Sequence, residues 1–244
     1  MTHFMRRGNL VLIGLFLLFT APGCRDNKKA SEGKMTDTTH VAATQPASSI
    51  VTTPYNMLVM VHKTGGYQKF KAAYLAGDSL RLSYGLHNYI VGRTLADTNA
   101  VVVAMKAEDM GKAKSYTGST DLKKYLNAAG VIGHPEAYPI LVVWQDTALI
   151  VPMPRSMTLL TVKDWATWWK VFQEGEQERK EHGVVARLVG HDPDDPTKVS
   201  VVTALTDTAI AFAYFRSDLL KKRMEASGVV GTPQRRIFEI VQRN

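Results

Sequence analysis

The side chains able to do chemistry in this chain are histidines, arginines and a knot of aromatics, and their spacing matches none of the familiar catalytic patterns. No pair of cysteines and no His-x-x-x-His spacing offers a tetrahedral metal its ligands. No Gly-x-Ser-x-Gly elbow, Walker loop or dinucleotide glycine fingerprint occurs. Cys24, the single cysteine, lies at the end of an apolar leader, so no catalytic thiol is available. What remains are groups that hold ligands. His62 ends an apolar run; His87, Tyr89 and Arg93 lie along one later segment; Arg187 and His191 lie along another; Trp165, Trp168 and Trp169 follow one another closely, with Phe172 beyond and Tyr67 far upstream. Imidazole can bind a metal or move a proton, guanidinium pairs with oxygen acceptors, and indole gives an apolar wall with one polar edge.

The elements that position these residues come twice. Shifted by 98 residues, Gly85–Pro135 falls without a gap on Gly183–Pro233. Gly85, Gly92, Asp97, Asp109, Tyr116 and Ser119 meet Gly183, Gly190, Asp195, Asp207, Tyr214 and Ser217, and Leu122-Lys123-Lys124 meets Leu220-Lys221-Lys222. So constant a register marks a duplicated domain, with repeats expected at 55–145 and 156–244. Tyr89 then corresponds to Arg187, Arg93 to His191, His62 to Leu160 and His87 to Val185.

Within the first repeat, the apolar run Met57–His62 predicts a strand, and the spacing of Tyr67, Phe70 and Tyr74 predicts an amphipathic helix over 67–83, ended by Gly85. Two strands within 86–106 form a hairpin. Asp109 and one of Ser119, Thr120 or Asp121 cap two short helices, and Tyr138–Trp144 is a fourth strand. Gly92 and Gly190 read as isolated strand-end glycines and His134 as a loop residue. The second repeat follows suit: a strand at Ser156–Val162, a helix capped by Asp164, a hairpin turning at 191–196, helices begun by Asp207 and by Ser217 or Asp218, and a last strand at Arg235–Val241. Leu149–Val151 could extend the strand before it. The order strand, helix, strand, strand, helix, strand is the split β-α-β ferredoxin-like arrangement. Helices cover one face of such a sheet, and the other face needs a cover. The prediction is an α+β protein of two tandem ferredoxin-like repeats packed sheet to sheet as an intrachain pseudodimeric α/β barrel.

These features resemble the dimeric α/β-barrel superfamily and its antibiotic-biosynthesis-monooxygenase-like domains: the element order, a helix carrying aromatics, the turn Asp192-Pro-Asp-Asp-Pro196, the capped helix Ser217–Lys222, and the Gly-Val-apolar-Gly-x-Pro stretches at 130–135 and 228–233. The resemblance covers roughly 57–244. It implies a cleft between sheet and helices, and it makes His62, Tyr67, His87, Tyr89, Arg93, Trp165, Trp168, Trp169, Arg187 and His191 the ligand-pocket candidates. Cofactor-free oxygenases of the superfamily hold an electron-rich aromatic substrate in such a pocket, and haem-binding members use a histidine, for which His62 or His87 would serve. The plainer alternatives are a strand-end histidine and a helix whose aromatics are core. Because the copies differ at both histidines, either one half keeps a site or neither does.

Residues 1–23 read as an address. Arg6 and Arg7 precede an apolar run from Leu10 to Ala21, too short for the roughly 20 residues that cross a bilayer. Ala21-Pro22-Gly23-Cys24 resembles a lipobox, so Cys24 is expected to carry acyl chains and hold the protein to a membrane of the bacterial cell envelope. An ordinary secretory peptide and an uncleaved anchor are the alternatives. Residues 24–54, almost without large apolar side chains, are expected to be a disordered tether spanning roughly 30 Å. The net charge of +8 becomes +6 once Arg6 and Arg7 are removed. It is scattered, without the aromatic-interleaved basic stripe of a nucleic-acid binder. The expected partners are therefore the membrane and a small hydrophobic or aromatic ligand, with no nucleic acid, no metal and no cofactor, in a monomeric pseudodimer. The leading function is binding or sensing of a small molecule. The alternative is an oxygenase-like or haem-interacting enzyme with one active pocket.

Overall fold

A computed structural model describes residues 48–148 and 152–244. The leader, Cys24, most of the expected tether and the predicted strand extension at Leu149–Val151 lie outside the described residues. Among those described, the chain runs β1 (Ile50–Val51), β2 (Tyr55–Thr64), α1 (Tyr67–Ala76), α2 (Asp78–Ser83), β3 (Leu86–Thr94), β4 (Ala100–Ala107), α3 (Met110–Gly118), α4 (Thr120–Ala128) and β5 (Val131–Asp146). The second repeat continues with β6 (Arg155–Val162), α5 (Trp165–Glu174), α6 (Glu176–Glu181), β7 (Val184–His191), β8 (Lys198–Leu205), α7 (Thr208–Phe215), α8 (Asp218–Ala226) and β9 (Val229–Arg243).

Local chemistry sets the boundaries. The side chains of Asp109, Ser119, Asp164, Asp207 and Ser217 each accept from a backbone N–H in the first turn of α3, α4, α5, α7 and α8. Gly85 and Gly183 stop α2 and α6 at φ +67° and +70°, values that suit glycine. Three expectations need correction. The helix over 67–83 is two helices broken at Gly77, where a Cβ would stand 2.5 Å from the Tyr125 ring; its counterpart breaks at Gly175. β5 and β9 begin earlier than expected, because Gly133 and Gly231, at φ +70° and +69°, form bulges rather than loops, and His134 sits in the first bulge. Finally, Ile50 and Val51 pair with Asp146 and Gln145, so order starts before residue 54.

Each repeat forms a four-stranded antiparallel sheet, β5-β2-β4-β3 and β9-β6-β8-β7. The sheets also join at both edges. β3 pairs with β9, and β5 pairs with β7, which closes eight strands into a barrel with β1 appended to β5. The seams account for two glycines. A Cβ on Gly92 would lie 2.4 Å from Phe238, and one on Gly190 would lie 2.5 Å from the Leu141 carbonyl and 2.6 Å from Ile140. Phe238 and Ile140 are themselves equivalent under the 98-residue shift. These glycines leave room for the strand of the other repeat.

Period-2 alternation sorts the side chains of β2 into two layers. Met57, Val59 and Val61 face the barrel interior, where they join Ile90, Val102, Ala104, Ile140 and Val142 from their own repeat and Met157, Leu188 and Phe238 from the other. Leu58 and Met60 face the helices, packing with Phe70, Tyr74, Tyr116 and Leu122. One core is thus shared by the repeats, and each repeat has an outer layer of its own.

Candidate functional site

The two outer layers have diverged. In the first repeat the space between sheet and helices is filled by Met60, Met105, Phe70, Tyr74, Tyr116 and Leu126, all buried. Arg81 is buried among them, its guanidinium 4.0 Å from the Tyr74 ring centroid and its Nε donating to Asn88 at 2.8 Å. In the second repeat Met60 is replaced by Thr158, Met105 by Thr203 and Tyr125 by Arg223. A cavity of about 90 Å³ opens there, walled by Trp168, Phe172, Tyr214, Phe215 and Leu160. By the criterion that one water needs roughly 10–15 Å³, the space exceeds a single water several-fold.

Three arginines line this cavity: Arg179, Arg223 and Arg235. Arg179 stacks on Phe172 at 3.7 Å and donates through Nη1 to the Phe172 carbonyl, while its buried Nε has no partner among the described residues. Arg235 stacks on Phe215 at 3.7 Å and donates through Nε to Thr158 Oγ1 at 3.1 Å. Burial pushes both guanidinium pKa values down to about 10, so both remain charged at neutral pH. The Thr203 hydroxyl is buried and unpartnered. At the rim, Glu178 accepts from Arg223 and from the Tyr214 hydroxyl, the latter at 2.7 Å. Burial alone would raise the Glu178 carboxyl, but these bonds together hold it below the usual range. Among the described residues, no histidine or carboxylate lines the cavity itself. Apolar walls with Arg179, Arg235 and a spare hydroxyl, and with Arg223 held by Glu178, suit a small apolar or aromatic molecule bearing oxygen acceptors.

A second cavity, of about 80 Å³, lies inside the barrel. Its floor is apolar, with Val102, Ile140, Leu188 and Phe238, and its mouth is polar. The Tyr55 hydroxyl donates to Gln145 Oε1 at 2.6 Å, and Gln145 Nε2 donates to the Tyr89 hydroxyl at 2.6 Å. Arg187 donates to Asp146 at 2.6 Å and to the Ala148 carbonyl. Arg155 is held to the Met153 carbonyl at 2.8 Å, and burial, reinforced by Arg243 and Arg187, pushes its pKa down to about 10.

The candidates chosen from the sequence therefore separate into four places. Trp168 lines the cleft of the second repeat, and Trp165 and Trp169 stack beside it with ring centroids 5.8 Å apart. Tyr89 and Arg187 line the barrel interior. Tyr67 lies under Arg93 at 4.5 Å, and its counterpart Trp165 meets His191 at 4.7 Å, so each copy pins the start of its first helix to its hairpin in the same way. The two histidines stand apart from all of these. His87 is half exposed and bonds Glu108 at 2.7 Å. His62 is 4% exposed, packs against Phe70 at 5.4 Å, and leaves Nδ1 without a partner among the described residues. Thr158, Thr203, Arg179 and Arg235 were absent from the sequence-based set. Comparing the copies residue by residue for large-to-small and apolar-to-polar changes would have found three of them, since Arg235 replaces Ala137.

A haem is tested by the same geometry. The first repeat turns an imidazole toward its helices, but close packing fills that layer. The second repeat has the open cleft, but Leu160 stands where His62 would be. His62 and its counterpart therefore do not offer a haem both a ligand and a space, and His87 lies half exposed against Glu108.

No family model matches the chain, and no curated protein matches it in sequence. Solved structures do match. An anthrone oxidase-like protein superposes with a TM-score of 0.55 at 11% identity, covering 80% of this chain and 95% of its own. A candidate monooxygenase of Fusobacterium nucleatum subsp. nucleatum gives 0.50 at 11% identity, covering 78% and 93%. A candidate chlorite dismutase gives 0.51 at 11%, covering 78% and 95%. The fold is an α+β barrel with ferredoxin-like halves, shared with these structures. At such identity the likeness extends to the fold alone.

Proposed function

We propose that this protein is a small-molecule-binding module held at a bacterial membrane by acyl groups on Cys24, and that its ligand occupies the helix–sheet cleft of the second repeat. One observation carries the assignment: Thr158, Thr203 and Arg223 open a cavity where the first repeat has Met60, Met105 and Tyr125. The ligand is small and aromatic or apolar, with an oxygen for Arg179 or Arg235. Binding is favoured over turnover because Glu178, at the rim, is committed to Arg223 and Tyr214, and among the described residues no other carboxylate and no histidine faces the cavity. The likeness to monooxygenase-like folds supports the second reading, oxygenase-like chemistry without a cofactor, which would use this same cleft.

The test is quenching of tryptophan fluorescence in the full chain by 2-naphthol. Saturable quenching is expected, weakened tenfold or more by the double substitution Thr158→Met with Thr203→Met, which restores the filling seen in the first repeat. Quenching that does not saturate, or that is unchanged in the filled variant, overturns the assignment. Dioxygen uptake that depends on the open cleft would favour the oxygenase reading over binding alone.

A further inference from the structure

The barrel interior has its own chemistry, and the duplication exposes it. Three pairs of equivalent positions line the mouth of the inner cavity: Tyr89 with Arg187, Met57 with Arg155, and Gln145 with Arg243. At every pair the second repeat supplies an arginine and the first a neutral residue. Here cations collect on one side.

The charges are poorly balanced. Among the described residues lining the cavity Asp146 is the only carboxylate, and it is engaged by Arg187, whose side chain is 11% exposed. Arg155 is 4% exposed, and its one side-chain hydrogen bond among the described residues goes to a carbonyl. Arg243 is exposed at the rim and forms no ion pair among the described residues. Lys106 adds a further positive charge, 5.2 and 5.3 Å from the Tyr55 and Tyr89 rings. A guanidinium held out of water without a counter-charge is costly, and an arriving anion offsets that cost. The Tyr89 hydroxyl accepts from Gln145, so its own proton is free to donate inward. Behind this polar ring the wall is apolar. The mouth also opens outward, because a depression of about 230 Å³ shares Arg155, Ile240 and Arg243 with the cavity; Glu239 lines that depression too, exposed and in no ion pair with either arginine among the described residues.

We propose that the barrel mouth is a second binding site, independent of the cleft, for a small organic monocarboxylate. The carboxylate lies between Arg155 and Arg243, and its apolar body enters the space lined by Val102, Ile140 and Phe238. Asp146 keeps Arg187 aside, so among the described residues Arg155 and Arg243 are left without a carboxylate partner. An inorganic anion would satisfy the charges but leave the apolar wall unused.

Calorimetric titration of the full chain with 4-methylbenzoate tests this, with 4-methylbenzamide and sulfate as the neutral and inorganic comparisons. Saturable binding of the carboxylate is expected, at least tenfold tighter than that of either comparison. Arg155→Met and Arg243→Gln install the residues of the first repeat and should each weaken it tenfold or more. The cleft-filling pair Thr158→Met and Thr203→Met should leave it unchanged. If buried Arg155→Met does not fold, the rim variant Arg243→Gln carries the test. Equal affinity for the amide or for sulfate, wild-type affinity in the arginine variants that fold, or loss of binding in the cleft-filled protein would each overturn the proposal.

Discussion

Replacing His62 by leucine, the residue at the equivalent position of the second repeat, should remove a pH dependence from folding stability. Burial among apolar side chains pushes the imidazole pKa from 6.5 down to about 4, since the protonated ring would sit in the helix-facing layer without a partner. The unfolded chain therefore binds a proton that the folded chain refuses. The stability contributed by the neutral ring is complete above pH 6.5 and is lost as pH falls from there toward 4. With those two values, lowering the pH from 7.5 to 5 costs about 2 kcal/mol, roughly a 30-fold drop in the folding constant. His62→Leu should lack this increment. At pH 7.5 it should be no less stable than the parent, because an unpartnered buried nitrogen costs about 1–3 kcal/mol. Urea unfolding of both proteins at pH 7.5, 6 and 5 measures the difference directly, and the carboxylates titrate alike in both and cancel. Parallel pH profiles for the two proteins, or a His62 titration near 6.5 by NMR, would show an imidazole reaching water or ligand space. The assignment of His62 to the core would then fail.

Three further outcomes follow from the barrel and its address. Gly190→Ala should destabilise by about 2–3 kcal/mol and Gly92→Ala by less, because the first Cβ meets a backbone carbonyl at 2.5 Å and the second meets the Phe238 ring, which can tilt; thermal unfolding ranks them. Residues 55–145 produced alone should form a homodimer by light scattering, with β3 of one copy on β5 of the other; a folded monomer that binds no apolar dye would refute the shared core. Cys24→Ala should move the protein from the membrane fraction to the soluble fraction of cells and abolish palmitate labelling, and retention at the membrane would refute lipid anchoring.

The 98-residue register made the architecture legible, because hairpins, caps and stop glycines are local signals and each appears twice. Asp109, Asp164 and Asp207 cap where their spacing says they should. The barrel was legible too, but the strand pairings that close it were not. Edge pairing of β3 with β9 and of β5 with β7 depends on which strands end outermost, and no residue type announces that. Gly92 and Gly190 carried the signal, but a strand glycine reads the same whether it faces a turn, a bulge or another strand. The helix breaks were legible in principle: Gly77 and Gly175 are equivalent, and glycine weakens a helix interior by about 1 kcal/mol. The site was harder. Histidine and tryptophan attract notice by type, whereas the cleft of the second repeat is made by two threonines, whose meaning appears only beside the methionines they replace.

That contrast bears on how a duplicated barrel acquires function. The interior core is common to both halves, so a change there must suit both at once. The outer layers are separate, so one can stay packed while the other opens. The first repeat fills its layer with Met60, Met105 and Tyr125 and thereby contributes stability, since filling such a space with large side chains stabilises by about 1 kcal/mol or more per site. The second repeat gives up that packing for Thr158, Thr203 and Arg223, and the shared core keeps it folded. The arginines at the barrel mouth obey the same logic: they lie at the end of the shared interior, where water reaches Arg243 and an added charge can stay hydrated. Folding and ligand binding are therefore divided between the two copies, and the places where the copies disagree are where the ligand should be sought.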